Sequence, residues 1–353
     1  MNRLALTALG ASLRVSTDVP GLAELLRAEL GTIVRENVEG EPDLWLQMSE
    51  QAATVETRPI EAAFGIVFRA WLDRVDRYAV LHGAALVKHG RALVLAGPTG
   101  SGKTTLSLAM LAHGYSLLSD DFAPVALDSG RVAPFPKAFG VRPGAATRLA
   151  ARAGVSADPE LLRTAVDVHR LDGIAVVEHE VPVAAIALMN GSAQTPQPRD
   201  PYPFYVVTAG GTKQIRDSLL TLPGARPRPE SGERIEVMLD PTRLSYDQLE
   251  RWLDTHQADL LEYGTAAISA PGLNDDARLS TISPATCLVL LLREIQNRRT
   301  NGALMQRFGN DLTRLSHDLA RVIAALPMTW LTAADPELTA ARLDAWFQAT
   351  TRR

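Results

Sequence analysis

The chain has 353 residues, with 36 Lys plus Arg against 40 Asp plus Glu, a net charge of −4, and 46% hydrophobic residues. The near-balanced charge removes the electrostatic case for nucleic acid or an acidic membrane as the main partner, and the apolar content excludes global disorder. A single cysteine, Cys287, excludes an intramolecular disulfide framework and a multi-cysteine zinc site, and a cytoplasmic location fits.

The opening segment 1–13 is apolar but broken by Thr7 and Gly10, with Arg14 and Asp18 close behind. It reads as the first strand of a domain rather than a signal sequence. No run reaches the roughly 18 uninterrupted apolar residues that would indicate a membrane span. Apolar residues at 22, 25, 26 and 30 predict a short amphipathic helix over 22–30. Segments 43–48 and 53–57 alternate like strands. Apolar positions 64, 67, 68, 71, 72, 75 and 79 predict one long helix over 61–80. Residues 1–75 are therefore expected to form a small α+β lead-in domain.

Segments 84–87 and 92–96 are short apolar runs joined through His89-Gly90, which predicts a turn. Ala92-Leu93-Val94-Leu95-Ala96 shows no polar alternation, which suits a strand buried on both faces of a helix-covered sheet. The next eight residues are Gly97-Pro98-Thr99-Gly100-Ser101-Gly102-Lys103-Thr104, followed by Thr105. They fit G-x-x-x-x-G-K-[ST] at every fixed position. Glycines let the backbone turn tightly and aim several N–H groups at one anion. A helix predicted from Gly102 to about His113 presents its positive end to phosphates, Lys103 reaches the β- and γ-phosphates, and the Thr104 hydroxyl binds Mg²⁺. A strand over 115–119 then ends at Asp120-Asp121. One carboxylate there can hold the Mg²⁺ shell, and the second invites a role as base toward an acceptor hydroxyl or, more simply, as a turn cap. Strand, glycine loop, helix, strand is the βαβ logic of an α/β nucleotide-binding core, expected over 76–210.

Further along, a helix is expected over 145–153 and strands over 181–189, 204–208 and 235–239, with a helix after Gly210-Gly211. Proline-rich stretches at 196–203 and 223–232 mark loops or boundaries. From about Tyr246 the tail reads as mostly helical, for instance over 286–297 and 309–326, so 211–353 is expected as a mixed, then helical, region that completes the core and the substrate site. The histidines at 113, 169, 179, 256 and 317 share no metal-ligand spacing.

The order His82-Gly83, strand, turn, strand, glycine loop, short helix, Gly114-Tyr115 and a strand ending at Asp120-Asp121 resembles the HPr kinase/phosphorylase family and the HPr-kinase-related kinases. The close spacing from Lys103 to Asp120 is its most specific element. The match is good over about 78–125, and loose over 126–210 through Pro134-Phe135-Pro136-Lys137. The resemblance implies a mixed-sheet catalytic core like that of phosphoenolpyruvate carboxykinase, and a kinase using ATP or another nucleoside phosphate with Mg²⁺. Asp120 would be the catalytic acid/base and Asp121 the magnesium-side carboxylate, an assignment that could be exchanged, while His82 would stand near the transferred phosphate. The acceptor hydroxyl, most simply serine, would belong to a protein, a peptide or a small molecule; a homo-oligomer is compatible. The family's downstream glycine-rich segment, with its further metal carboxylate and an arginine near the phosphate, is not recognisable. Lys137, Arg142 and Arg216 are the candidate cations, each read as a solvated surface charge. A nucleotide-binding regulatory module, or a complex-forming partner in a biosynthetic cassette, is the alternative function.

Overall fold

The computed structural model describes residues 2–36, 38–46, 59–135, 137–141, 164–166, 174–190, 203–208, 213–227, 235–256, 260–266, 277–332 and 335–351. At the N-terminus, strands Asn2–Ala8 and Ala11–Thr17 pair through a two-residue turn in which Leu9 and Gly10 both have left-handed backbones (φ 54° and 78°). Strands Val34–Glu36 and Leu44–Leu46 complete a four-stranded sheet. Helix Leu22–Leu30 buries Leu22, Ala23, Leu26 and Leu30, and a second helix spans Pro59–Leu72. Their shared core also contains Tyr78, Val80, Ala126, Ala133 and Phe135, so the lead-in unit packs onto the next layer.

The single helix expected over 61–80 is instead a helix followed by a strand. The helix stops at Leu72, and strand Tyr78–Lys88 begins six residues later. The apolar residues at 75 and 79 extend the helical period only by coincidence. What holds the break is tertiary: the buried Asn297 side chain donates to the carbonyls of Val75 and Tyr78 (3.0 and 2.9 Å) and accepts from Val80 N–H (3.0 Å). The expected strand 84–87 belongs to this eleven-residue strand, and His82 lies inside it rather than before it.

The core is a mixed eight-stranded sheet. Its order is Arg278–Thr281, Met328–Thr332, Val181–Asn190, Arg91–Ala96, Tyr78–Lys88, Phe122–Ala126 and Arg131–Val132, with Ser116–Ser119 also pairing to Tyr78–Lys88. Val181–Asn190 runs parallel to both Arg91–Ala96 and Met328–Thr332, and the other pairings are antiparallel. Residues 92–96 are fully buried, as their unbroken apolar run requires. Ala92, Val94 and Ala96 face the core beneath helices Pro284–Glu294 and Leu312–Ile323; Leu93 and Leu95 face helix Lys103–Ala112 and the C-terminal helix Pro336–Thr351.

A separate four-stranded sheet holds Arg226–Pro227, Ile235–Leu239, Phe204–Thr208 and Leu260–Thr265, covered by helices Lys213–Leu220 and Tyr246–Thr255. The tail is less helical than its periodicity suggests, because Leu260–Thr265, Arg278–Thr281 and Met328–Thr332 are strands and the last two extend the core sheet. Strand pairing across the chain, not local period, decides these segments. The expected strand over 53–57 and helix over 145–153 lie outside the described residues.

Gly83 marks a tight approach in the core sheet: a Cβ there would stand 2.5 Å from the backbone oxygen of Leu95. Gly90, in the His89-Gly90 turn, has a left-handed backbone (φ 70°) with open space around it. Gly83→Ala should therefore destabilise by about 2 kcal/mol or more through overpacking against backbone, and Gly90→Ala by only about 1 kcal/mol through backbone strain. Equilibrium urea unfolding of both variants checks the order.

Candidate phosphate-binding and acid–base site

The glycine loop is held by three backbone constraints. Gly97 packs against strand Val181–Asn190 so closely that a Cβ would stand 2.4 Å from Met189 O. Gly100 and Gly102 have left-handed backbones (φ 83° and 93°), and Gly102 is the N-cap of helix Lys103–Ala112. Ser101 N–H donates to Pro98 O at 3.2 Å, folding the loop over. The buried Lys103 curls back along the loop, its Nζ donating to the carbonyls of Gly97 and Pro98 at 2.6 and 3.0 Å. The Ser101 hydroxyl is buried with no hydrogen-bond partner among the described residues. Thr105 follows in the first helical turn, half-buried. Lys103, Thr104 and the helix N-terminus thus lie together at the loop, where a helix start offers unpaired N–H groups and a favourable field to an anion.

Asp120 and Asp121 follow the end of strand Ser116–Ser119 and take different partners. Asp120 is 1% exposed, and its Oδ2 accepts the Thr104 hydroxyl at 3.1 Å. Burial raises its carboxyl from 3.8 to about 7, helped by the Asp121 charge and opposed by Lys137, Thr104 and Lys103. Asp121 adopts a left-handed backbone (φ 64°), and its carboxylate faces Lys137 Nζ at 3.2 Å. Its carbonyl accepts Gly83 N–H at 3.0 Å.

Lys137 is not a surface charge. It is 2% exposed and bridges Asp121 to Glu29 (3.3 Å) of the N-terminal helix. Arg216 is exposed on helix Lys213–Leu220, and Arg142 lies outside the described residues. His82 Nδ1 stands 3.3 Å from Glu294 Oε2, and Glu294 Oε1 accepts the Thr265 hydroxyl at 2.8 Å. The Thr265 carbonyl in turn accepts Thr99 N–H of the loop at 2.9 Å, and the Thr99 hydroxyl meets Tyr205 OH at 3.0 Å. Lys103, Thr104 and Asp120 therefore form one cluster, Asp121 faces Lys137, and His82 joins the loop through Glu294 and Thr265. Sequence reading missed Glu29, Tyr205, Thr265 and Glu294. Each is distant in sequence from the loop, with no local pattern to flag it.

A mixed α/β sheet carrying a glycine loop between a buried strand and a helix defines an α/β nucleotide-binding type of fold. Known proteins narrow the class. The chain is 32% identical over 104 residues to the HPr kinase/phosphorylase of Ralstonia pickettii, covering 29% of this chain and 31% of that protein. It is 32% identical over 116 residues to that of Paraburkholderia phytofirmans, covering 32% and 35%. The chain thus spans about a third of the length of these curated relatives. Among solved structures, the Hpr(Ser) kinase/phosphatase from Coxiella burnetii matches 50% of this chain and 95% of its own, with 19% identity and a TM-score of 0.22. No family model matches. Over the matched segment, the chain is HPr-kinase-like. No helix among the described residues is long and apolar enough to cross a membrane.

The raised Asp120 carboxyl has a stability consequence. The unfolded chain releases this proton near pH 4 and the folded chain near pH 7, so this group's contribution to stability falls as pH rises between them. Asn at 120 is neutral throughout and keeps the shape. In metal-free buffer, the melting temperature of Asp120→Asn relative to wild type should rise between pH 5 and pH 8 by about 2 °C or more, as differential scanning fluorimetry would show.

Proposed function

We propose that the protein is a nucleotide-dependent phosphotransferase acting on a hydroxyl, with serine of a protein or peptide the favoured acceptor and a small-molecule hydroxyl the alternative. The observation that carries this reading is the meeting of Thr104, at the start of the loop helix, with a buried Asp120 whose proton affinity lies near neutral pH. A general base is most effective when its pKa lies near the working pH. A nucleotide switch without an acceptor has no need of such a group. The relatives' name, HPr kinase/phosphorylase, supports a protein acceptor.

ATP, or another nucleoside phosphate, would lie along the loop with its phosphates on the amides and on Lys103. The donor set suits Mg²⁺ brought in with the nucleotide. Thr104 and the Asp pair offer hard oxygens, and no group of three or more His, Cys, Asp or Glu among the described residues forms a cage of its own. Mg²⁺ typically binds in this way, sharing substrate phosphates and keeping several waters. When bound, it neutralises charge on the phosphoryl oxygens. Thr104 would ligate it directly. Asp121, assigned to the metal from sequence, would first have to leave Lys137, so its role here is to set the charge around Asp120.

In the transfer step, the acceptor oxygen forms its bond to the terminal phosphorus as the bond to the leaving nucleoside diphosphate breaks. Asp120 takes the hydroxyl proton. Lys103 and the loop amides hold the phosphoryl oxygens, and the helix N-terminus adds a favourable field. Positioning and electrostatics supply most of the acceleration in such reactions.

Two variants test this reading. Lys103→Ala should weaken Mg-nucleotide binding or transfer by about 100-fold, since it removes a charge-assisted contact to the phosphates. Asp120→Asn should keep nucleotide affinity within roughly tenfold and lose transfer by about 100-fold or more. Calorimetric titration with ATP, ADP and GTP, alongside radiolabelled transfer to serine-containing acceptors, reads both. Full transfer by Asp120→Asn would remove Asp120 as the base, and a wild type that binds no nucleotide would remove the reading altogether.

A further inference from the structure

Glu294 ends the helix Pro284–Glu294, more than 170 residues beyond the Asp pair, yet it is 1% exposed inside the site. A buried carboxylate is unfavourable unless it is paired. One oxygen is satisfied by the Thr265 hydroxyl at 2.8 Å. The other, Oε2, makes no hydrogen bond among the described residues, and His82 Nδ1 lies 3.3 Å from it at ion-pair distance. Thr265 is itself anchored to the glycine loop, because its carbonyl takes Thr99 N–H at 2.9 Å. Three short links therefore join the loop to His82.

From this arrangement we infer that Glu294 is a positioning residue for His82. An ionised carboxylate only accepts hydrogen bonds, so it favours the imidazole tautomer with the proton on Nδ1. Nε2 is then an acceptor, available to a hydroxyl or a bound water. The ring is backed by a buried carboxylate whose far oxygen accepts the Thr265 hydroxyl. Modest misalignment of such a pair without substrate is ordinary, and the contact tightens when the site fills. The strand partner of His82 is Phe122, directly after Asp121, and Gly83 N–H binds the Asp121 carbonyl, so the oriented ring belongs to the same strand junction as the acid pair. The helix carrying Glu294 thereby contributes to the site from the C-terminal region.

The structural part of this inference stands without the phosphotransferase reading; the kinetic part rests on it. The structural test is the ¹⁵N spectrum of labelled full-length protein at pH 8, with the His82 signals assigned from a His82→Gln variant. The expected result is a neutral ring protonated on Nδ1. In Glu294→Gln, with the Thr265 bond retained by the amide oxygen, the amide NH₂ faces the ring and the proton should move to Nε2. Glu294→Asp keeps the carboxylate and should keep the Nδ1–H tautomer, which guards against a Gln variant that fails to fold. Wild-type protein with its proton on Nε2, alone or together with Nδ1, overturns the inference, and so does an unchanged tautomer in a folded Glu294→Gln. In transfer assays, Glu294→Gln should lower kcat by about 100-fold with nucleotide affinity unchanged within about threefold, and Glu294→Asp should recover part of that loss. If wild type transfers to no acceptor while the tautomer behaves as described, the phosphotransferase reading fails and the positioning role of Glu294 remains.

Discussion

The site depends on one contact, the Thr104 hydroxyl donating to the buried carboxylate of Asp120. The two residues come from elements that are not neighbours in the sheet. Thr104 follows strand Arg91–Ala96, Asp120 follows strand Ser116–Ser119, and strand Tyr78–Lys88 lies between them. Gly83 of that middle strand ties the two sides together: it packs against the Leu95 oxygen, where a Cβ would not fit, and its N–H donates to the Asp121 carbonyl. Strand order thus brings the ends of the two outer strands to one place.

Charge around that contact is balanced from outside the core. Two adjacent carboxylates repel, and burial aggravates the repulsion. The left-handed backbone at Asp121 accompanies their different partners, and Lys137 pairs with the second while only partly offsetting the burial that raises the first. Glu29 of the N-terminal helix holds Lys137 in place. The lead-in unit is therefore tied to the site by an ion pair, in addition to its apolar packing through Phe135 and Val80.

The C-terminal half acts in the same way from the opposite direction. Asn297 breaks the helix that residues 61–80 would otherwise continue, and so lets His82 enter a strand. Glu294, three residues earlier, then meets His82. Thr265 and Tyr205 of the separate four-stranded sheet reach the loop at Thr99. Loop, histidine and both later segments form one connected polar network, although the chain between them is long.

Parts of the site whose chemistry is local are legible in the residues alone. The glycine pattern at 97–104 requires its backbone conformations wherever it stands, the apolar run 92–96 requires burial on both faces, and the Asp pair follows a strand too short to place it elsewhere. The remainder depends on partners far along the chain. Lys137 reads as a surface lysine until Glu29 and Asp121 enclose it, and Glu294 reads as an ordinary helix-end carboxylate until His82 and Thr265 face it. Segments 78–80 and 328–332 are strands whose backbone groups are claimed by a buried side chain and by a parallel neighbour. Period and propensity record what a segment prefers alone. A buried charge or an unpaired backbone group is settled by whichever distant partner satisfies it, and no local pattern names that partner.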